Sequence, residues 1–170
     1  MKKIFLLLVF VFTMSLGFSQ RYAYVDTEYI LKNIPAYSAA QEQLDNLAVE
    51  WQKEIEDIYS QIDKMYKDFQ AEKVLLTEEM RTKRENAIID KEKEAKKIQK
   101  QYFGAEGELY KKRQELIKPI QDDIFNTVKE IASEGNYAVI FDTAGNMSML
   151  YTDPKYDKSD EVLEKLGYKN

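Results

Sequence analysis

The sequence predicts a predominantly helical α+β protein: a small β body carrying one long, protruding, antiparallel coiled-coil hairpin. Three observations predict it. Apolar residues fall at Tyr37, Ala40, Leu44, Ala48, Trp51, Ile55, Ile58, Ile62, Met65 and Phe69, in steps of three and four, which is the 3.5-residue seam of a coiled coil. A looser stripe of the same kind returns through Ile88, Ala95, Ile98, Tyr102, Ala105, Leu109, Leu116, Ile120, Ile124, Val128 and Ile131. Outside these runs the period drops to two, at Tyr22 to Asp26 and Tyr137 to Asp142, as short half-buried strands require. The expected organisation is a leader at 1–19, a body from 20–34 and 132–170, and a helical arm from 35–131.

The leader begins with Lys2 and Lys3, continues through an apolar stretch from Ile4 to Met14 and ends in small and polar residues, the plan of a cleaved signal peptide. As a helix that stretch rises only about 16 Å, against a bilayer core of about 30 Å. Gly17 and Ser19 supply the small residues for a cut after Ser19. Cysteine is absent, so no lipid-anchored Cys and no disulfide is available; an exported bacterial protein is the first expectation and an extracellular eukaryotic one the second. Without Lys2 and Lys3 the 25 basic residues fall to 23 against 30 acidic ones, a net charge of −7. So acidic a chain argues against nucleic acid as a partner.

Each element has a local reason. Tyr22 to Asp26 reads as a strand, and Thr27 to Asn33 as a short helix that stops before Pro35, since proline disfavours helical geometry in the residue ahead of it. The first long helix opens near Pro35, where a missing N–H is harmless. The hairpin tip falls at Val74 to Thr77, with Thr77 as N-cap followed by Glu78 and Glu79 at the positive helix end. Between Ala36 and Asp63 seven acids face one base, Lys53, whereas Arg81 to Lys118 holds twelve bases and seven acids. That asymmetry favours antiparallel pairing of the two arms. Gly104 and Gly107 sit mid-helix and read either as flex points or as close helix approach, and Pro119 as a bend or a hinge. Beyond Ile131, Tyr137 to Asp142 is a strand, Ala144 to Asn146 a turn, and Met147 to Tyr151 its hairpin mate. Three short strands are marginal alone, so several subunits sharing one sheet is the economical solution. Ser159 is expected to cap a last helix, Asp160 to Leu166, ended by Gly167.

Histidine and cysteine are both zero, which removes Cys and His nucleophiles, His acid–base roles and the usual zinc ligands. No phosphate-binding glycine loop occurs. The expectation is a non-enzymatic protein without cofactors that acts without nucleotide. Asp153, Asp157, Ser159, Asp160 and Glu161 lack the glycine and spacing of a calcium loop and read as acids gathered at a helix N-terminus. Asn146, Met147 and Ser148 match a glycosylation acceptor that carries no weight in a bacterial protein. All twelve tyrosines lie beyond the leader. Tyr59, Tyr66, Phe103 and Tyr110 fall beside the seam, where they either broaden the buried stripe or, with Met80, Leu75 and Leu76, offer an adaptable apolar surface.

AYVDTEYILKNIPAY (Ala23 to Tyr37), ELIKPIQDDIFNTVKEIASEGNYAVIFD (Glu115 to Asp142) and DKSDEVLEKL (Asp157 to Leu166), with the two arms between them, resemble the Skp/OmpH family of periplasmic chaperones. The resemblance implies a homotrimer in which strands of three subunits build a β-barrel body and three helical hairpins enclose a cavity. It also implies that unfolded outer-membrane β-barrel proteins are held there without ATP. The body would use Tyr24, Val25, Val139, Phe141 and Leu150. The client surface would use Tyr59, Tyr66, Leu75, Leu76, Met80, Phe103 and Tyr110, with Gly104, Gly107 and Pro119 as hinges. The best-known members are strongly basic; in this acidic chain Lys91 to Lys100 is the only stretch left for anionic lipid. Lys158 also stands where the family usually has an apolar residue. The competing class is a non-catalytic envelope spacer or adaptor that grips one folded partner.

Overall fold

The computed structural model describes residues 21–145 and 149–168; the leader lies outside them. The described chain is predominantly helical, with one small sheet. It forms two units, one holding the residues up to Asn33 and from Asp123 onward, the other Ile34 to Asp122.

In the first unit, strand β1 (Arg21–Val25) pairs in parallel with β2 (Tyr137–Asp142). Tyr22 lies opposite Val139, Ala23 opposite Ile140, and Tyr24 opposite Phe141. Because side chains alternate across a strand, Ala23 and Val25 share the buried face, and Tyr22, Tyr24, Val139 and Phe141 share the other. Helix α1 (Thr27–Lys32) follows directly, its N-cap Asp26 accepting from the Tyr29 amide at 2.9 Å. Ile30 from α1 is fully buried. So are Ile131 from α5 (Lys118–Glu134) and Val162 and Leu163 from α6 (Ser159–Lys165). Helix α1 packs on α6. The two are also stitched by polar contacts: the Asp26 amide donates to Ser159 Oγ at 2.8 Å, and Tyr29 Oη pairs with Asp160 at 3.0 Å.

Two expectations for this unit are corrected. The expected hairpin mate of β2, Met147 to Tyr151, lies partly outside the described residues, and its described part does not pair with β2. Residues 146–148 lie outside the described chain, and Met149 to Tyr151 carry no strand. The turn signal instead closes locally. Asp142 Oδ1 accepts from the Ala144 amide, and the Thr143 amide donates back to Val25 O at 2.8 Å. The chain then reaches the far edge of β1, where Tyr24 bridges Asp157 and the Lys158 amide donates to Tyr24 O. Leu150 is fully exposed, with no apolar layer to cover it. Ser159 is not the helix cap either. Lys158 holds that position, and Ser159, buried, donates to Asp157 Oδ1 at 2.6 Å while accepting from Asp26. Gly167 ends α6 with φ of +80°, in a conformation that side chains disfavour.

The second unit opens with α2 (Pro35–Glu72), proline in its first turn. The chain reverses at 73–77, and Thr77 caps α3 (Glu78–Phe103) by accepting from the Met80 amide. The return path is not one helix. It breaks at Gly104–Gly107, resumes as α4 (Glu108–Leu116), and breaks again at Ile117 before α5. Gly104 therefore terminates α3 and Gly107 opens α4; neither is mid-helix, and Ala105, expected on the stripe, lies exposed in the break. A Cβ on Gly104 would meet Lys100 O at 2.3 Å, and one on Gly107 would meet Tyr102 O at 2.7 Å, both in the same stretch of chain. Pro119 stands in the opening turn of α5, where its missing N–H costs no helical hydrogen bond.

Helix α2 packs on α3 and α4 through two separate apolar clusters. One joins Ile58, Ile62 and Phe69 to Ile88 and Ala95. The other joins Ala40 and Leu44 to Ile117. Ile117 was not on the expected stripe; the second break shifts the register and turns it inward.

Candidate functional site

The α2 seam is filled by its own aliphatic residues, and this decides where the aromatics go. Tyr59 and Tyr66 each follow a seam residue by one position, which on a helix is a rotation of about 100°. They consequently stand on the flank. Together with Phe103 at the end of α3 and Tyr110 on α4, they are between 37% and 49% exposed. At the reversal Val74 and Leu75 are each 86% exposed, and Met80 is half exposed. Leu76 differs from its neighbour: it packs against the Ile58–Phe69 cluster, so it belongs to the fold more than to the surface.

Two tyrosines are held across the helices by hydrogen bonds. Tyr66 Oη pairs with Glu92 across the helices at 3.1 Å. Tyr102 Oη pairs with Glu54 at 2.9 Å. In both, the hydrogen bond to the carboxylate is the main reason the phenol is pushed above its ordinary pKa. Trp51 stacks on Tyr102 with ring centroids 4.7 Å apart and planes 4° from parallel, and meets Phe103 edge-on at 6.4 Å. Trp51 and Tyr102 were both legible as stripe residues; that they pair across the helices was not, because nothing in either stripe fixes the axial register. Val74 was missed as a surface residue, its signal being only its place in the turn.

A second apolar surface lies on the other unit. The sheet face carrying Tyr22, Tyr24 and Phe141 lines a cleft of about 720 Å³ with Tyr151 and Tyr156, and Tyr22 stacks on Phe141 at 6.4 Å. Val139 is on this face and exposed, and Val25 is turned into the unit's own core. The neighbouring acids have local partners. Asp153 pairs with Lys155, whose hydrogen bond is the leading cause of its lowered pKa. Asp157 holds Ser159, and Glu161 pairs with Lys158 at 2.6 Å. Among the described residues no group of acids is placed to hold a metal ion, and no helix is long and apolar enough to cross a membrane. Of Lys91 to Lys100, Lys91 and Lys93 pair with Glu94 and Asp90 on their own helix.

Exposed apolar side chains thus lie along the helix pair of one unit, and an aromatic sheet face lines a cleft on the other. The family model for outer membrane proteins of the OmpH-like type matches residues 21–166, and the chain belongs to that family. It is 30% identical over 166 residues to an uncharacterized protein of Aquifex aeolicus (strain VF5), covering 98% of this chain and 96% of that one. It is similar in fold to the crystal structure of a candidate outer membrane chaperone (OmpH-like) from Caulobacter crescentus CB15. That match has a TM-score of 0.68 at 11% identity, over 88% of this chain and 85% of the other.

Proposed function

We propose that this protein is an ATP-independent periplasmic holdase, which binds unfolded outer-membrane proteins between helical arms and keeps them from aggregating. The observation that carries the reading is surplus apolar surface. The seam of α2 is already closed by Ile55, Ile58, Ile62 and Phe69, yet Tyr59, Tyr66, Leu75, Met80, Phe103 and Tyr110 remain exposed. Folding alone does not call for them. Membership of the OmpH-like family supports the same reading. An unfolded outer-membrane strand presents apolar residues alternately, and many weak contacts with aromatic and thioether side chains hold such a chain without reading its sequence.

The body is proposed to be trimeric, with Tyr24, Val139 and Phe141 on the open sheet face and Leu150 beside it meeting other copies. Val25 supports that face from behind. The arms are the residues from Pro35 to Ile131, and Gly104, Gly107 and Pro119 set where they bend. Anionic lipid is not a proposed partner for so acidic a chain.

The test is dilution of a urea-unfolded outer-membrane β-barrel protein into buffer with the purified protein. Suppressed light scattering is expected near one trimer per client. Replacing Tyr59, Tyr66 and Tyr110 together by serine should weaken that suppression at unchanged helicity. No suppression at several-fold excess overturns the proposal, and a single folded partner in a pull-down with indifference to unfolded chains would establish the adaptor class instead.

A further inference from the structure

The break between α3 and α4 faces an uninterrupted α2. On α2 the two apolar clusters are separated at this level: fully buried seam residues stop at Leu44 and resume at Ile55, with Ala48 and Trp51 only half buried between them. Each side of the gap thus has its own anchor. What bridges it is aromatic. Trp51 stacks flat on Tyr102, Phe103 sets its ring edge-on to Trp51, and Tyr102 Oη reaches Glu54 one turn further along α2. Tyr102 and Phe103 are the last two residues of α3, so the contact grips the helix at its broken end. The turn itself is closed by the Gly107 amide donating to Gly104 O at 2.9 Å. As it stands it leaves no room for a Cβ at either position, which would strike Lys100 O or Tyr102 O.

We propose that Trp51, Tyr102 and Glu54 form a latch that holds a joint closed at the α3–α4 break. When the rings part, α3 and α4 swing separately about Gly104–Gly107, while the cluster around Ile62 and Ile88 and the cluster around Leu44 and Ile117 both stay packed. Continuous α2 is the backing against which the joint works. A purely static break would use the same glycines, but would gain nothing specific from a tyrosine gripped at its hydroxyl and its ring face together.

Hydrogen exchange of the whole protein tests this, with Tyr102→Ala removing both grips and Tyr102→Phe removing only the one to Glu54. The expected result is faster exchange confined to amides between about 100 and 111. An increase of roughly threefold to tenfold is expected for Tyr102→Ala, from the strength of one aromatic pair, and a smaller one for Tyr102→Phe. Exchange around Ile62, Ile88 and Leu44 should be unchanged. Trp51 is the sole tryptophan, so its emission should move to longer wavelength in Tyr102→Ala as the ring loses its cover. Unchanged exchange at the break, or a uniform rise across both clusters in the two variants, overturns the latch: the first makes the rings idle and the second makes them ordinary packing.

Discussion

The outgoing and returning sides of the helical unit have similar lengths of chain and different structures. Helix α2 runs 38 residues without interruption; the return is divided into α3, α4 and the start of α5. The contrast lies in what fills each stripe. The α2 seam is dominated by Leu, Ile, Met and aromatic residues at strict spacing, and it buries six residues, with one gap between Leu44 and Ile55. The α3 stripe has Ile88 and Ala95 as its buried residues and is otherwise mostly charged. Where burial is that sparse, two glycines suffice to end the helix, since each lacks about 1 kcal/mol of the helical preference of alanine. Charge does not compensate. Arg84 and Glu72 pair between helices at 3.2 Å, but Lys67–Asp63, Lys91–Glu94 and Lys111–Glu108 are exposed pairs within one helix, the kind that contributes little to stability. One helix is therefore the rigid member and the other is laid against it in pieces.

The largest expected effect follows from that asymmetry. Ile62→Ala, in the buried seam of α2, should destabilise the helical unit by about 2 to 5 kcal/mol, read as a lower urea midpoint. Leu109→Ala, on the half-buried face of α4, should lower it distinctly less. Equal losses would break the comparison. Next comes Gly107→Ala. Its Cβ would face Tyr102 O at 2.7 Å and Gln101 O at 2.8 Å, so the turn must shift, at about 1 to 3 kcal/mol for a forced local conformation. The opposite outcome, a gain in helicity and stability, would mean that the return path is ready to become one continuous helix.

What was legible in the sequence divides along the same line. The α2 seam, the start at Pro35, the reversal before Thr77 and the short strands all follow from spacing and from caps that act within a few residues. The broken return was not legible, because a glycine in a helical pattern has two outcomes, tolerated or terminating, and the choice depends on burial supplied by the other helix. Ile117 was passed over for the same reason: a one-residue slip at the break decides which of Leu116, Ile117 and Ile120 turns inward. The pairing of β2 with β1 was not legible because strand signals in sequence are local, whereas this parallel ladder joins residues more than a hundred positions apart. Of the candidate surface, the flank tyrosines were legible from their offset to the seam. Leu76 was not separable from Leu75, since in a reversal side-chain direction has no period to read.

A smaller effect tests how independently the return path starts. Thr77→Ala removes the side-chain acceptor for the Met80 amide and should cost about 1 kcal/mol. Exchange should quicken in the first turn of α3 and stay unchanged in α2. If α2 responds equally, the two helices melt as one and the rigid-and-pieced distinction fails at the reversal.

The smallest effect is spectroscopic, and it probes the two cross-helix tyrosines as a pair. Both Tyr66 and Tyr102 are raised above the ordinary phenol pKa, chiefly by hydrogen bonds to Glu92 and Glu54. A raised folded-state value means that the folded chain holds these protons more tightly than the unfolded chain. The stabilisation is therefore complete below the unfolded pKa of about 10 and is lost as pH rises through the folded values. In an ultraviolet titration the Tyr66 and Tyr102 phenols should ionise above the ordinary phenol range. Glu92→Gln should return Tyr66 toward the ordinary phenol value and leave Tyr102 late, and Glu54→Gln should do the reverse. Because Tyr66 stands on α2 beside the cluster between α2 and α3 and Tyr102 lies at the break, loss of late titration at Tyr102 alone under mild destabilisation would locate the weaker side of the unit at the return path. Loss of both at once would mean that the break carries no weakness of its own.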